Sequence, residues 1–450
     1  MRDALGPGSV LGYCTNVHAG VDLPQVRAGL ERYAVPIKAA VSPERPMGVG
    51  LWLSAAAAAQ LSPPGAAEEL RGWLERRGLY VFTLNGFPYG DFHRPRVGTR
   101  VYRPHWADRR RLDHTLNLAR LLAAMLPEWL PEGSISTLPV GWSPAFCGLA
   151  STEPGRSRRG RKLTQAADHL MELVHGLARV ELDTGRLIHV DLEPEPGCVF
   201  ERSADVVSFF ERYLWGGPDE RSVRAYLGVC HDVCHAAVMF EDQAEAIGRY
   251  LDAGLRVGKV QLSSALRVDW ARMAPAARPT AWRNLGSFAE PRYLHQTTVR
   301  DDGGIERRYP DLPAAMEAEC PGGQPPDGGS WRVHFHVPVF AESVGGLDTT
   351  RDEIVSCLKV LEGAGSEELR CRHFEVETYA WDRLPGSVPA AAGGDTESSS
   401  SQEVDGGGVT EGLAAGIARE LRWVAEVAKG GTEAAACGAG ADGSGGEARR

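Results

Sequence analysis

The chain has 450 residues, 43% hydrophobic and 24% charged, a balance that can bury a large core or two ordinary ones. Its formal charge of −10 opposes a phosphate-backbone partner, so no nucleic acid is expected. No run reaches the roughly 18 apolar residues of a membrane span. The opening Met1-Arg-Asp-Ala-Leu-Gly-Pro-Gly8 has no apolar h-region, so a cytoplasmic protein is expected. Nine cysteines scattered over such a chain do not read as a disulfide framework. The main basic cluster, Arg156, Arg158, Arg159, Arg161 and Lys162, lies in a Gly- and Ser-rich connection. It reads as a solvated loop, or as one that meets an acidic substrate.

In chain order, Ser9 to Val17 reads as a strand running out at Asn16 and His18, followed by a helix from about Pro24 to Ala40. Met47 to Leu53 and Leu79 to Asn85 are the next strands, and a long loop from Gly86 to Asp113 follows. Ile135 to Val140, Leu187 to Glu193, Ala225 to Cys230 and Lys259 to Ser263 come next, each separated by a helical stretch. Arg372 to Tyr379 is the last strand. Parallel strands need crossover helices, so this alternation predicts a parallel sheet, and eight units predict a closed (β/α)8 TIM barrel. A doubly wound open sheet is the rival, but no Gly-rich dinucleotide turn follows an early strand.

Two further β-like runs, Arg292 to Val299 and Trp331 to Val339, exceed the count of eight. They read as an inserted antiparallel pair, a β-hairpin placed before the last strand. The barrel domain is expected over residues 8–385. Residues 386–450 read as a low-complexity linker with one amphipathic helix at about 409–429, where Leu413, Ile417, Leu421 and Val424 recur at helical steps. That helix could dock on the barrel or bind a partner.

Barrel chemistry sits where strands finish. Strand five ends in Asp191-Leu-Glu193-Pro-Glu195, strand six in Cys230-His231-Asp232-Val-Cys-His235, and strand seven in Gln261-Leu-Ser-Ser264. The inserted runs carry His295 and His334-Phe-His336, and the last strand carries Glu375-Val-Glu377-Thr378. His18, Asn85 and His93 stand at or beyond the ends of the first and third strands. Glu193, Asp232 and Glu377 gathered together would repel one another unless a cation offset them. Carboxylate with imidazole suits Mn, Fe or Zn, and carboxylate alone suits Mg, so the expected cofactor is one of these divalent ions.

Each residue also has a plainer explanation. Glu193 could cap a helix, and Asp232 with His235 could be a helix-start acid and a loop histidine. Residues two apart on a strand share a face, which makes the pairs His334/His336 and Glu375/Glu377 harder to explain singly. Cys230 and Cys234 lack the spacing for haem attachment, and Cys234 reads as a small buried residue.

At these residues the chain resembles the xylose isomerase-like TIM-barrel superfamily, which includes sugar-phosphate isomerases/epimerases and endonuclease IV. In it a Glu ends strand five, Asp-x-x-His ends strand six and Glu-Thr ends strand eight, matched here by Glu193, Asp232 to His235, and Glu377-Thr378. The resemblance implies metal ligation by Glu193, Asp232, His235 and Glu377. His334 and His336 correspond to a ligand pair of some members, although the first departs from the usual Asp. Gln261 stands where many members place a ligating His. More closely, the chain resembles the EboE-type metabolite traffic proteins over about residues 8–385. The runs carrying this are Leu11-Gly-Tyr-Cys-Thr-Asn-Val-His18, Thr83-Leu-Asn-Gly-Phe-Pro-Tyr89, Tyr293-Leu-His-Gln296, His334-Phe-His-Val-Pro338 and Glu375-Val-Glu-Thr-Tyr-Ala-Trp381.

That resemblance implies a place in secondary-metabolite processing or traffic, with a small-molecule metabolite and other proteins of its pathway as partners. Two functions follow as expectations. One is a divalent-metal-dependent isomerase or epimerase acting on a polyol- or sugar-like molecule, with Glu193, Glu377 and His295 as catalytic groups. His18, Asn85, His93 and Gln261 would then touch substrate, and Trp106, Phe87 and Tyr89 would line an apolar wall. The alternative is a non-catalytic carrier or scaffold that binds a metabolite in the same metal-lined mouth.

Overall fold

Short buried strands set the architecture: β1 (Val10–Tyr13), β2 (Met47–Trp52), β3 (Leu79–Asn85), β4 (Glu132–Thr137), β5 (Leu187–Leu192), β6 (Leu227–Asp232) and β7 (Val257–Leu262). The computed structural model describes residues 1–146, 158–363, 370–384 and 412–438. Six further strands follow, β8 (Ser264–Asp269), β9 (Thr297–Arg300), β10 (Glu306–Tyr309), β11 (Ser330–Val337), β12 (Ser343–Val344) and β13 (Leu347–Thr349), before β14 (His373–Val376). β1 to β7 and β14 form one parallel sheet in the order β1-β14-β7-β6-β5-β4-β3-β2. A parallel bridge between Cys14 and Gly50 joins its two edges, so the sheet closes as a (β/α)8 barrel. Every residue of β2, β3, β6 and β7 is buried, as expected for strands covered on both faces.

The predicted strands all appear, with shifted ends. β4 begins three residues before the expected Ile135 and stops at Thr137, because Pro139 and the left-handed Val140 (φ 65°) turn the chain. The insertion is larger than a hairpin. β8 to β13 form a six-stranded antiparallel sheet ordered β10-β9-β11-β8-β13-β12, in which the expected pairing of β9 with β11 is one contact among several. β8 was not anticipated because only Ser263 separates it from β7, so the two read as one run. This sheet has its own core around Trp270, Trp282, Trp331, Phe288 and Phe335. The register of β11 against β8 slips between Val333 and Val337, and that irregular stretch carries His334 and His336.

The C-terminal helix, Leu413–Gly438, belongs to the barrel rather than to a separate tail. Ile417, Ala418, Leu421 and Val424 are buried in the same core as the barrel strands, and the helix packs beside helix Val35–Val41 and β1. A sequence boundary near 385 therefore does not separate it from the fold. The linker expected between them lies outside the described residues, as does Arg156 of the basic cluster.

Barrel interiors are usually filled by branched apolar side chains. Here the centre is polar. The Lys259 ammonium and the Glu375 carboxylate lie 2.5 Å apart, both fully buried. Burial alone would lower the Lys259 ammonium, but Glu375 beside it holds it above its usual value. Gly50 makes room for the pair: a Cβ there would sit 1.3 Å from Glu375 Oε1. Glu375, one of the two acids expected on the inner face of the last strand, is thus spoken for by Lys259. Lys259→Met is expected to destabilise the protein by about 3–5 kcal/mol, because it strands a buried charge. Adding Glu375→Leu should recover much of that loss in chemical denaturation; no recovery would mean the pair contributes little as a pair.

Candidate metal centre

Glu193, Asp232 and Glu377 follow or end three different barrel strands, and each brings an oxygen within 4.8 Å of the others. All three are buried, at 3%, 1% and 5% exposure. Asp232 is also the N-cap of the short helix Val233–Val238, where one oxygen accepts from His235 N (2.8 Å) and Ser263 Oγ (2.8 Å). Its other oxygen, Oδ2, has no hydrogen-bond partner, and neither has Glu193 Oε2. Glu377 Oε1 accepts from Asn16 Nδ2 (2.6 Å) and Asn85 Nδ2 (3.1 Å). Buried carboxylate oxygens normally find donors, so two left without any point to an electrophile in the space between them.

The histidines complete the pattern. His235 Nδ1 faces the Pro194 carbonyl (3.0 Å), His334 Nδ1 faces Gln296 Oε1 (2.8 Å), and His336 Nδ1 faces the Glu377 carbonyl (2.8 Å). Those partners can only accept, so each proton sits on Nδ1 and each Nε2 carries a lone pair. His235 Nε2 and His334 Nε2 face each other at 3.2 Å, and His336 Nε2 has no hydrogen-bond partner. Tyr379 Oη also lies 3.5 Å from His334 Nε2; ring nitrogens tied outward to acceptors, with lone pairs turned inward, are the arrangement that metal-ligating histidines need. Asp232, His235 and His336 make one set with ligand atoms within 4.8 Å of one another, and Glu195, His235 and His334 make another.

Electrostatics separates acids from bases here. Burial, followed by repulsion from Glu377 and Asp232, pushes the Glu193 carboxyl well up. Burial, with Asp232 and Glu375 nearby, lifts Glu377 from 4.5 to about 8. Asp232 is raised by burial as well. Burial lowers His235 to about 3 and His336 to about 4, and it lowers His334, which also feels His235. Burial thus favours protonated acids and neutral imidazoles across the cluster.

A small pocket opens onto this cluster. Asn85, Glu193, His235, His334, His336 and Glu377 line it, with Phe87, Phe92, Tyr293 and Tyr379 as an aromatic wall. Trp106 and Tyr89 are not part of that wall. Trp106 is fully buried, and Tyr89 packs edge-on against His114.

The other expected site residues fall elsewhere. His295 does not line the cavity: its Nε2 meets Glu290 (3.2 Å), its Nδ1 meets the His334 carbonyl (3.2 Å), and its ring stacks on Phe335. It supports the backbone of His334. His18 stacks on Tyr33 and hydrogen-bonds Tyr13, lining a separate small crevice. His93 holds the Asn16 carbonyl (2.6 Å), one step behind the cavity wall. Asn85 reaches the cavity but also orients Glu377. Gln261 is fully buried in register with Asp232 and Glu375, and neither of its amide atoms has a partner.

Glu195, which closes the strand-five run, was given no role in the sequence. It is 5% exposed, and its Oε1 accepts from Tyr102 Oη (2.7 Å) and Gln296 Nε2 (3.0 Å). Burial raises it to about 8 against those bonds. The available signal was the Pro194-Glu195-Pro196 run, which fixes the loop conformation immediately after a site residue. Tyr102 carries no signal of its own in the long loop after β3.

No protein-family model and no curated protein sequence matches this chain. Among solved structures it is similar to a xylose isomerase-like TIM barrel protein from Mycobacterium smegmatis in complex with magnesium. The identity is 11%, over 94% of this chain and 97% of that one, at a TM-score of 0.45. A xylose isomerase domain protein from Alicyclobacillus acidocaldarius subsp. acidocaldarius is similar at 15% identity, over 93% and 100%, at 0.38. D-allulose 3-epimerase from Methylomonas sp., in complex with D-allulose, is similar at 12% identity, over 57% and 73%, at 0.32. The barrel assignment stands on the strand order of this chain.

Ligation requires the acids to lose their protons, so metal uptake at pH 7 should release protons. Calorimetric titration of metal-free protein with Mn²⁺ or Zn²⁺ should give heats that change with the ionisation enthalpy of the buffer. The same groups set a pH trend for metal-free protein. Glu377 is raised on folding, from 4.5 to about 8, so its contribution to stability is complete below about pH 4.5 and lost as pH rises through about 8. The melting temperature of metal-free protein should fall over that window, and saturating metal should flatten the fall.

Proposed function

We propose that this barrel is a divalent-metal-dependent isomerase or epimerase acting on a polyol- or sugar-like small molecule. The observation that carries the reading is the buried convergence of Glu193, Asp232 and Glu377 with the inward lone pairs of His235, His334 and His336. Those six residues would hold the metal, and Glu195, which also approaches His235 and His334, is left free to carry a proton. When bound, the ion supplies Lewis-acid polarisation of a carbonyl or hydroxyl and generates no redox demand if it is Mn²⁺, Zn²⁺ or Mg²⁺. Carboxylate with imidazole favours Mn²⁺, Fe²⁺ or Zn²⁺ over Mg²⁺.

The chain's own residues do the rest. Asn16 and Asn85 fix the orientation of Glu377. Glu193 and Glu377 face the cavity from different strands, so one takes the proton from the carbon beside a carbonyl and the other returns one. Glu195, protonated near neutral pH and backed by Tyr102 and Gln296, is better placed than His295 to move a proton to a substrate oxygen. The aromatic wall takes the less polar face of the substrate and excludes water. A role in secondary-metabolite processing or traffic, as the EboE-type resemblance implies, fits a cavity that combines a polar metal end with this wall.

Elemental analysis of the purified protein should find a divalent metal, and Glu377→Gln should lose most of it. An unchanged metal content would remove Glu377 from the coordination sphere. Incubation of the metal-loaded protein with ketoses and related polyols in D₂O should place deuterium beside the carbonyl, read by NMR. Glu195→Gln should slow that exchange by roughly 10²–10⁴-fold with metal content retained. A molecule that binds in the cavity and returns without deuterium would instead make the protein a carrier.

A further inference from the structure

Glu420, on the C-terminal helix, is fully buried on a face otherwise built of Ile417, Leu421 and Val424. A carboxylate on such a face is costly unless donors meet it, and packing alone would be served by another aliphatic residue. Three donors meet this one. Glu420 Oε1 accepts from Thr378 Oγ1 (2.6 Å) and from Val339 N (3.1 Å), and Oε2 accepts from Trp381 Nε1 (3.2 Å). Thr378 directly follows Glu377, and Val339 lies three residues beyond His336. The helix also approaches the rim closely, since a Cβ on Gly416 would lie 2.5 Å from the Trp381 ring. Arg419 lies over Phe340 on the same segment as Val339, at 4.0 Å.

The two rim segments held by Glu420 are the ones whose inner sides carry Glu377 and His336. They are already joined on that inner side, where His336 Nδ1 donates to the Glu377 carbonyl (2.8 Å). One oxygen of Glu420 joins them again from the outer side.

We propose that Glu420 is a positioning residue of the metal centre, through which the C-terminal helix sets the spacing between Glu377 and His336. The inference rests on the metal-site reading above. A residue that only anchored the helix would affect folding stability and leave the ligand geometry alone. Partners lying just behind ligands typically shift metal affinity by about 10–100-fold when removed.

The test uses the full chain, with Mn²⁺ and Zn²⁺ affinity measured by competition against a chelating dye, and melting temperature measured beside it. Glu420→Ala is expected to weaken metal binding by about 10–100-fold. Glu420→Gln, which keeps one acceptor oxygen, should fall between it and the unchanged protein. Ile417→Ala loosens the same helix without touching those bonds, and should lower the melting temperature while leaving metal affinity unchanged. Thr378→Val removes one donor and should weaken binding in its own right, adding little when combined with Glu420→Ala. A folded Glu420→Ala protein of unchanged metal affinity overturns the inference. So does an Ile417→Ala protein that loses affinity as much as Glu420→Ala does at equal loss of stability. If Glu420→Ala does not fold, unchanged affinity in both Glu420→Gln and Thr378→Val overturns it. Failure of the unchanged protein to bind either ion is a different result, and removes the metal site itself.

Discussion

Three acids that cannot all be charged at once without help are held together, nearly buried, at the mouth of the barrel. Burial pushes Glu193, Asp232 and Glu377 toward their protonated forms, with repulsion from neighbouring acids adding to it at Glu193 and Glu377, while burial lowers the neighbouring imidazoles. The same environment gives lone pairs on nitrogen and carboxylates that gain much by exchanging a proton for a metal ion. The rest of the molecule can be understood as the means of keeping this arrangement in place. Lys259 and Glu375 pair on neighbouring barrel strands, and asparagines, backbone carbonyls and a glutamine orient the candidate ligands.

The barrel alone does not supply the whole site. Its strands deliver the acids, but His334 and His336 come from a strand of the inserted antiparallel sheet, at the point where that strand loses register with β8. The irregularity has a use: a regular ladder would keep those residues paired, whereas a bulged stretch can turn side chains toward the mouth. The insertion has its own aromatic core, so it presents the two histidines from a rigid body. From the opposite end of the sequence the C-terminal helix returns to the barrel wall and buries a carboxylate against both rim segments. Strand ends, insertion and terminal helix therefore meet at one site.

Much of this was legible in the residues. Eight strand–helix units announced a barrel because parallel pairing demands crossover connections, and the runs were buried enough to stand out. Glu193, Asp232, His235 and Glu377 could be picked out as polar residues at strand ends, and the structure brings them together. The period of two put His334 beside His336 and Glu375 beside Glu377. It could not say that Glu375 is neutralised by Lys259, because that pairing runs across two strands separated by more than a hundred residues.

Local pattern by itself determined the eight barrel strands and the polar residues at their ends, since these depend on neighbours along the chain. Tertiary structure alone decided which histidines face the cavity. His295, His18 and His93 also stood among the sequence candidates, but a ring nitrogen of each is taken by Glu290, Tyr13 or the Asn16 carbonyl. It also decided that Glu195 is buried and that the terminal helix is part of the barrel. Those outcomes hang on contacts between distant segments, where a single hydrogen-bond partner determines whether a side chain faces the cavity or braces the wall behind it.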